Sequence, residues 1–202
     1  MSPLFLFLSH KTTSMNFKNK CGWCLGDPLY EAYHDNEWGV PVYDDKTLFE
    51  FLILETFQAG LSWITILRKR ENFRKALDHF NYEKIATYNQ DKIDSLLQDA
   101  GIIRNKLKIH ATITNAKAFM AIQKEFGSFS KYIWDFVDGK PIKNILENYK
   151  NAPPTTPLSD TISKDLKQRG FKFVGPTVIY AHMQATGMVN DHETQCFRYH
   201  EV

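Results

Sequence analysis

The sequence is short of several things. Across 202 residues it has three cysteines, and an odd number argues against a disulfide framework. Charge of one sign is also missing. The formal net charge of +2 is too small to mark a nucleic-acid protein by itself, so any basic surface must be local. No internal repeat and no sustained period-two alternation are present, which leaves a β-sheet with little support. The apolar run Pro3 to Leu8 has no basic residue before it, is shorter than a secretory core, and is far too short to span a membrane. Residues 1–19 are expected to form a disordered tail, with Met15 as a candidate start of the folded part. A soluble, cytoplasmic protein is the expectation.

What remains is mostly hydrophobic and helical in pattern. At 43% hydrophobic, the chain can bury a core as one domain or two joined halves. It is organised around Cys21 to Trp38, C-G-W-C-L-G-D-P-L-Y-E-A-Y-H-D-N-E-W, which holds Cys21 and His34 among Trp23, Tyr30, Tyr33 and Trp38. A second Cys/His pair, His192 and Cys196, lies near the other end in H-E-T-Q-C.

Between these pairs the chain reads as a series of helices. Asp27-Pro28 can open one carrying Leu29, Tyr30 and Tyr33. Asp44 and Asp45 sit where N-caps belong, ahead of a segment so apolar, Leu48 to Phe57, that it must be buried. Gly60 ends it, and Ser62 can cap a helix from Trp63 to about Leu77. Further helices are predicted over 89–100, 106–126 and 129–137, with the proline-rich stretch 151–157 as a loop. Ser159 can cap Ile162 to Arg169. A tight turn between Gly170 and Gly175 follows, and Pro176 starts a helix reaching Ala185, so the two helices form a hairpin.

Two thiolates and two imidazoles suit a closed tetrahedral zinc site, which would be structural because no position stays open. His192 and Cys196 are one helical turn apart and would face one point if that segment were helical. On spacing alone, ordinary buried Cys and His explain the four residues equally well, and Cys21-x-x-Cys24 is itself a ligand pair. Glu55 is the one charge on the stripe Leu48, Phe51, Leu52, Glu55, Ala59. A buried carboxylate must be paired, protonated or waiting for a cationic or donor-rich ligand. An aromatic cage with one carboxylate is what a flat, positively charged ring needs, although aromatics at helical spacing are by default core. Near the hairpin, Lys164, Lys167, Arg169 and Lys172 form either a solvated face or, with Gly170, Gly175 and the following helix start, a grip on a DNA backbone.

Six separated segments resemble the 3-methyladenine DNA glycosylase I family. They are C-G-W at 21–23, D-P-L-Y-E-A-Y-H-D-N-E-W-G-V-P at 27–41, E-T-F-Q-A-G-L-S-W at 55–63, Q-D-A-G-I-I-R at 98–104, K-Q-R-G-F-K-F-V-G at 167–175 and V-N-D-H at 189–192. The resemblance implies an all-α, helix-hairpin-helix DNA glycosylase fold over residues 20–202. In that fold the middle helices, about 45–150, interlock with the joined ends, and the hairpin spans about 159–187. It implies one structural zinc ion on Cys21, His34, His192 and Cys196, with Cys24 outside the set. It also implies a base pocket of Trp23, Tyr30, Tyr33, Glu55 and Trp63, with Trp38 beside it. Leu61 sits where an apolar wedge could fill a gap in the duplex.

The implied activity is release of 3-methyladenine from alkylated double-stranded DNA after base flipping, by a monomer. Glu55 would favour the cationic ring, and Asp191 lies where related enzymes often keep a catalytic aspartate, unless it serves as a cap or as a partner of His192. Thr177 stands where bifunctional relatives carry lysine, so no lyase step is expected. Lys172, Gly170 and Gly175 would hold the DNA backbone. The competing readings are a zinc-stabilised DNA-binding module without catalysis and a zinc hydrolase of small molecules.

Overall fold

The structure, a computed structural model, describes residues 19–202. Apart from Asn19, the tail expected at the N-terminus lies outside the described residues. The order of helices is α1 (Pro28–Asn36), α2 (Asp45–Gln58), α3 (Trp63–Ala76), α4 (Tyr82–Ile85), α5 (Gln90–Gln98), α6 (Lys106–Phe126), α7 (Phe129–Asp135), α8 (Pro157–Gln168) and α9 (Pro176–Ala185). Two residue pairs add a minimal parallel sheet of β1 (Ile142–Lys143) and β2 (Val189–Asn190), in register Ile142↔Val189 and Lys143↔Asn190. Strands this short carry no readable alternation, so they leave no period-two signal in the sequence. Among the described residues no helix is long and apolar enough to cross a membrane.

Local chemistry accounts for the boundaries. Asp27 caps α1, its side chain accepting from Leu29 N–H at 2.9 Å and Tyr30 N–H at 3.2 Å, with Pro28 at the first helical position. Asp44 caps α2 through Thr47 N–H at 2.8 Å. Asp45 does other work: its carboxylate accepts from Phe129 N–H at 2.9 Å and Ser130 N–H at 2.7 Å, pinning the start of α7 to α2. Gly60, at φ +85°, makes the turn that ends α2.

Three expectations need correcting. Ser62 caps α3 with no bond to its backbone, its hydroxyl meeting that of Thr65 at 2.7 Å instead. Thr156, not Ser159, caps the first hairpin helix. The two form a reciprocal capping box, Thr156 Oγ1 accepting from Ser159 N–H at 3.1 Å and Ser159 Oγ from Thr156 N–H at 2.8 Å. The proline-rich loop therefore ends at Thr156, because Pro157 opens α8.

Helix α2 is the spine. Every residue from Leu48 to Phe57 except Glu50 is buried, and α2 packs against α3, α6, α7 and α9. The apolar core that surrounds it is continuous from Tyr33 to Val189. Helices α8 and α9 pack on one another as a pair. Its turn is held from outside by Asn115 of α6, which is fully buried. Asn115 accepts from Lys172 N–H at 2.7 Å and donates to Lys172 C=O at 3.0 Å.

Replacing Asn115 with Ala leaves both polar groups of the Lys172 peptide without their protein partner. We expect a loss of about 1–3 kcal/mol by thermal denaturation, together with faster amide exchange at Lys172. Unchanged exchange there would mean that the turn holds itself.

Candidate functional site

The two ends of the chain meet at one cluster. Cys21, His34, His192 and Cys196 are all buried, and their ligand atoms lie within 4.8 Å of one another. Cys21 Sγ is 3.5 Å from His192 Nδ1, and Cys196 Sγ is 3.4 Å from His34 Nε2 and 3.8 Å from His192 Nδ1. Tetrahedral zinc–sulfur and zinc–nitrogen bonds of about 2.3 and 2.1 Å imply S···N edges of about 3.6 Å. The spacing fits such a centre.

The far side of each ring agrees. His34 Nδ1 meets Asp35 Oδ1 at 2.8 Å, and His192 Nε2 meets the Trp38 carbonyl at 3.2 Å, so the remaining nitrogens point at the cluster. The Cys21 thiol donates to Cys196, which pushes the Cys21 pKa up and pulls that of Cys196 down. A metal ion could take the place of that proton. Cys24 stands outside the cluster, its thiol donating to the Cys21 carbonyl at 3.1 Å.

His192 and Cys196 converge without a helix between them. A turn closed by Cys196 N–H on Glu193 C=O, at 2.7 Å, brings them together instead. Gly39 is required here, since a Cβ there would come within 2.8 Å of His192 Nε2.

Beside the cluster lies a cavity of about 310 Å³, bordered by Trp23, Tyr30, Tyr33, Trp38, Glu55, Trp63 and Asp191. A capped α1 places Tyr30 and Tyr33 on one face, next to His34. Trp23, on a short 3-10 turn, meets Tyr30 edge-on at 4.7 Å and Trp38 at 4.9 Å. Trp38 in turn meets His192 at 4.6 Å, so the aromatic wall leans on the Cys/His cluster. Trp63 closes the opposite side, 5.5 Å from Tyr33.

Glu55 is 3% exposed, and no arginine or lysine pairs with it among the described residues. Its Oε2, the Tyr33 hydroxyl and the Trp63 Nε1–H are all buried without a partner. All three residues line the cavity, and an unpaired buried polar group costs free energy. Burial alone pushes the Glu55 pKa up to about 8. Burial, with the Glu55 charge adding to it, raises Tyr30 to about 12. A cationic ring with a donor edge would satisfy the carboxylate and be faced by the aromatic surfaces.

Asp191 faces the cavity from the far side. It accepts from Tyr180 OH at 2.6 Å, Gln184 Nε2 at 2.7 Å and Asn144 Nδ2 at 2.6 Å. It is therefore not the partner of His192, whose outer nitrogen goes to Trp38. Tyr180, Gln184, Asn144 and the proline-rich segment that supplies Tyr149, Pro153 and Pro154 were not singled out in the sequence. Thr177 also borders the cavity.

Leu61 does not line it. It stands 41% exposed on the turn after α2, and Lys108 pins that turn by donating to Phe57 C=O at 2.9 Å and Ala59 C=O at 2.8 Å.

The hairpin turn is partly engaged already. The Gly170 amide bonds Lys167 C=O at 3.0 Å and the Lys172 amide bonds Asn115. The Gly175 amide at the start of α9 and the Lys172 ammonium remain. Arg169 leaves the basic set, because it pairs with Glu125 at 2.8 Å and Asp165 at 2.7 Å over the rings of Phe126 and Tyr132.

A mostly helical scaffold in which a Cys/His cluster backs an aromatic pocket with a carboxylate defines a protein with an aromatic-walled binding cavity. The chain belongs to the methyladenine glycosylase family, whose model matches residues 23–199. It is 49% identical over 180 residues to the DNA-3-methyladenine glycosylase 1 of Escherichia coli, covering 89% of this chain and 96% of that protein. It is 45% identical over 177 residues to the DNA-3-methyladenine glycosylase of Haemophilus influenzae, covering 88% and 96%. A crystal structure of 3-methyladenine DNA glycosylase I superposes with a TM-score of 0.86 at 50% identity, covering 89% of this chain and 98% of that one. A variant of 3-methyladenine DNA glycosylase I in complex with 3-methyladenine superposes at 0.86 with 38% identity, covering 89% and 96%.

Two outcomes follow from the geometry. Cys196→Ser should lower the melting temperature by about 10 °C or more, as expected for losing several kcal/mol from a domain of this size. Tyr33→Phe, which removes a hydroxyl without a partner, should shift it by far less. Equal shifts in the two variants would deny the cluster its stapling role.

The second outcome concerns pH. The stability that depends on neutral Glu55 is fully present below about 4.5 and is lost as pH rises through about 8. Glu55→Gln should therefore lose less melting temperature than wild type between about pH 5 and pH 9. Parallel curves would show that Glu55 is not held neutral.

Proposed function

We propose that this protein is a monofunctional DNA glycosylase of base excision repair, hydrolysing the N-glycosidic bond of 3-methyladenine in alkylated duplex DNA. The observation that carries this reading is Glu55, buried and unpaired, facing a hollow walled by tryptophan and tyrosine. The names of the relatives and the 3-methyladenine complex among the solved structures support the same substrate.

A base inside a duplex is out of reach of such a pocket, so the nucleotide must be flipped out, and damage makes flipping cheaper. Leu61, exposed on a turn that Lys108 stiffens, is placed to fill the gap left behind. The helix-hairpin-helix element would hold the backbone through the Gly175 amide, Lys172 and the Gly170 turn.

A 3-methylated adenine still joined to deoxyribose is cationic and already a good leaving group. Glu55 gives up its proton to water at the open cavity as the cation enters, accepts from the exocyclic amino edge, and is then charge-paired in a largely enclosed site. Neutral adenine offers no such compensation and is rejected. Asp191, held by three donors, presents a fixed negative charge toward the sugar as positive character develops there. Thr177 in the cavity has no amine, so no Schiff base forms and an abasic site is the product.

The fit of two thiols and two imidazoles points to zinc as the resident ion, supplying cross-linking between the chain ends and no reaction step. The continuity of the core around α2 supports treating residues 20–202 as a single domain with interlocked halves.

The test is release of free purines from methylated duplex DNA, with the liberated bases identified by chromatography. Wild type should release 3-methyladenine and leave abasic sites without strand cleavage. Glu55→Gln should lower kcat/KM on the order of 100-fold, the loss of a charged hydrogen bond worth roughly 3 kcal/mol. DNA binding with no base released would leave a zinc-stabilised binding module as the function.

A further inference from the structure

Glu193 follows the cluster residue His192 and is 4% exposed. Its carboxylate has no cationic partner among the described residues. Instead it accepts from two backbone amides far apart in sequence: Oε1 from Tyr149 N–H at 2.9 Å and Oε2 from Gly22 N–H at 3.3 Å. Those amides belong to two separate segments that supply pocket walls. Gly22 precedes Trp23, and Tyr149 begins the segment that contributes Pro153 and Pro154.

The two walls are in close contact there. A Cβ on Gly22 would come within 2.9 Å of the Tyr149 ring, so the absence of a side chain lets that ring close over the turn. The main chain of Glu193 is fixed as well. Its N–H points at Cys21 Sγ at 3.3 Å, and Thr194 N–H donates to Leu146 C=O at 2.8 Å beside the Leu146–Glu193 bridge. A buried carboxylate is costly where an apolar side chain would fill the space, unless its hydrogen bonds are needed. Here each oxygen meets one wall.

We infer that Glu193 is a positioning residue for the base pocket, setting the spacing between the Trp23 turn and the Tyr149–Pro154 wall by bridging their amides. The inference rests on the reading of the cavity as a base pocket. Removing the carboxylate leaves two amides unpaired and frees the walls to part, which loosens the grip on a flat ring without touching the groups that recognise its charge.

The experiment is calorimetric titration of the full chain with free 3-methyladenine, with bound metal counted per chain. Four proteins are compared: wild type, Glu193→Ala, Glu193→Gln and Gly22→Ala. The Ala variant at 193 should weaken binding by about 10-fold or more, two amides having lost their acceptor. Gln, which keeps one acceptor oxygen and turns its carboxamide NH2 toward the other backbone N–H, should rescue part of the loss. Gly22→Ala should also weaken binding, since its methyl displaces the Tyr149 ring. All should keep the metal content of wild type.

Wild-type affinity in metal-loaded Glu193→Ala would overturn the inference. So would an affinity that falls only in step with metal loss, because Glu193 would then act through the cluster. If Glu193→Ala does not fold, the graded effects of Glu193→Gln and Gly22→Ala decide the matter, and wild-type affinity in both overturns it. A wild type that binds no 3-methyladenine overturns the pocket reading and this inference with it.

Discussion

An ionisable carboxyl group buried beside an aromatic cavity without a counter-charge is the constraint on which the structure turns. Glu55 sits on a helix whose neighbours are apolar almost without exception, and burial alone raises its pKa to about 8. An internal arginine would have made the group inert. None pairs with it among the described residues, which leaves a neutral acid with an unpartnered oxygen that, in the proposed function, an incoming cation would ionise and pair. In the proposed function, the same arrangement would separate a charged, damaged purine from the large excess of neutral ones, without any need for a strong acid catalyst.

A site of this kind needs stiff walls, and the walls come from distant parts of the chain. Trp23, Tyr30, Tyr33 and Trp38 precede α2, while Tyr180, Gln184 and Asp191 come from α9 and the segment beyond it. Closing so long a loop has an entropic cost that apolar contacts alone would have to offset. The Cys/His cluster lies where both segments cross, and its imidazoles are oriented by Asp35 and by the carbonyl of Trp38, itself a wall residue. Cluster and pocket therefore share structural parts.

The helices were legible because their periodicity, caps and glycine stops are local: Asp27-Pro28, Asp44, Gly127 after α6 and Pro176 each act within a few residues. Glu55 was legible for a related reason, as one charge on an apolar stripe. The resemblance to a known family supplied what spacing left open, above all the choice of Cys21 over Cys24. What could not be read depends on contacts across the chain. Asn115 looks like any polar residue in a helix until the Lys172 peptide is set against it. Arg169 looks like part of a basic face until Glu125 arrives from α6. Asp35 and Glu193 carry no signal in their own neighbourhoods. Thr156 and Ser159 are both plausible caps, and only the reciprocal bonds between them fix which residue starts the helix.

Lys108 has a consequence of its own. Burial lowers its pKa, and its ammonium is spent on two carbonyls at the end of α2, so the Leu61 turn is fastened from beneath by charged hydrogen bonds. A loop already frozen surrenders little further freedom when a partner presses on it. In the proposed function, the encounter with a double helix would be governed by diffusion and surface charge, because the probing element is rigid before it arrives.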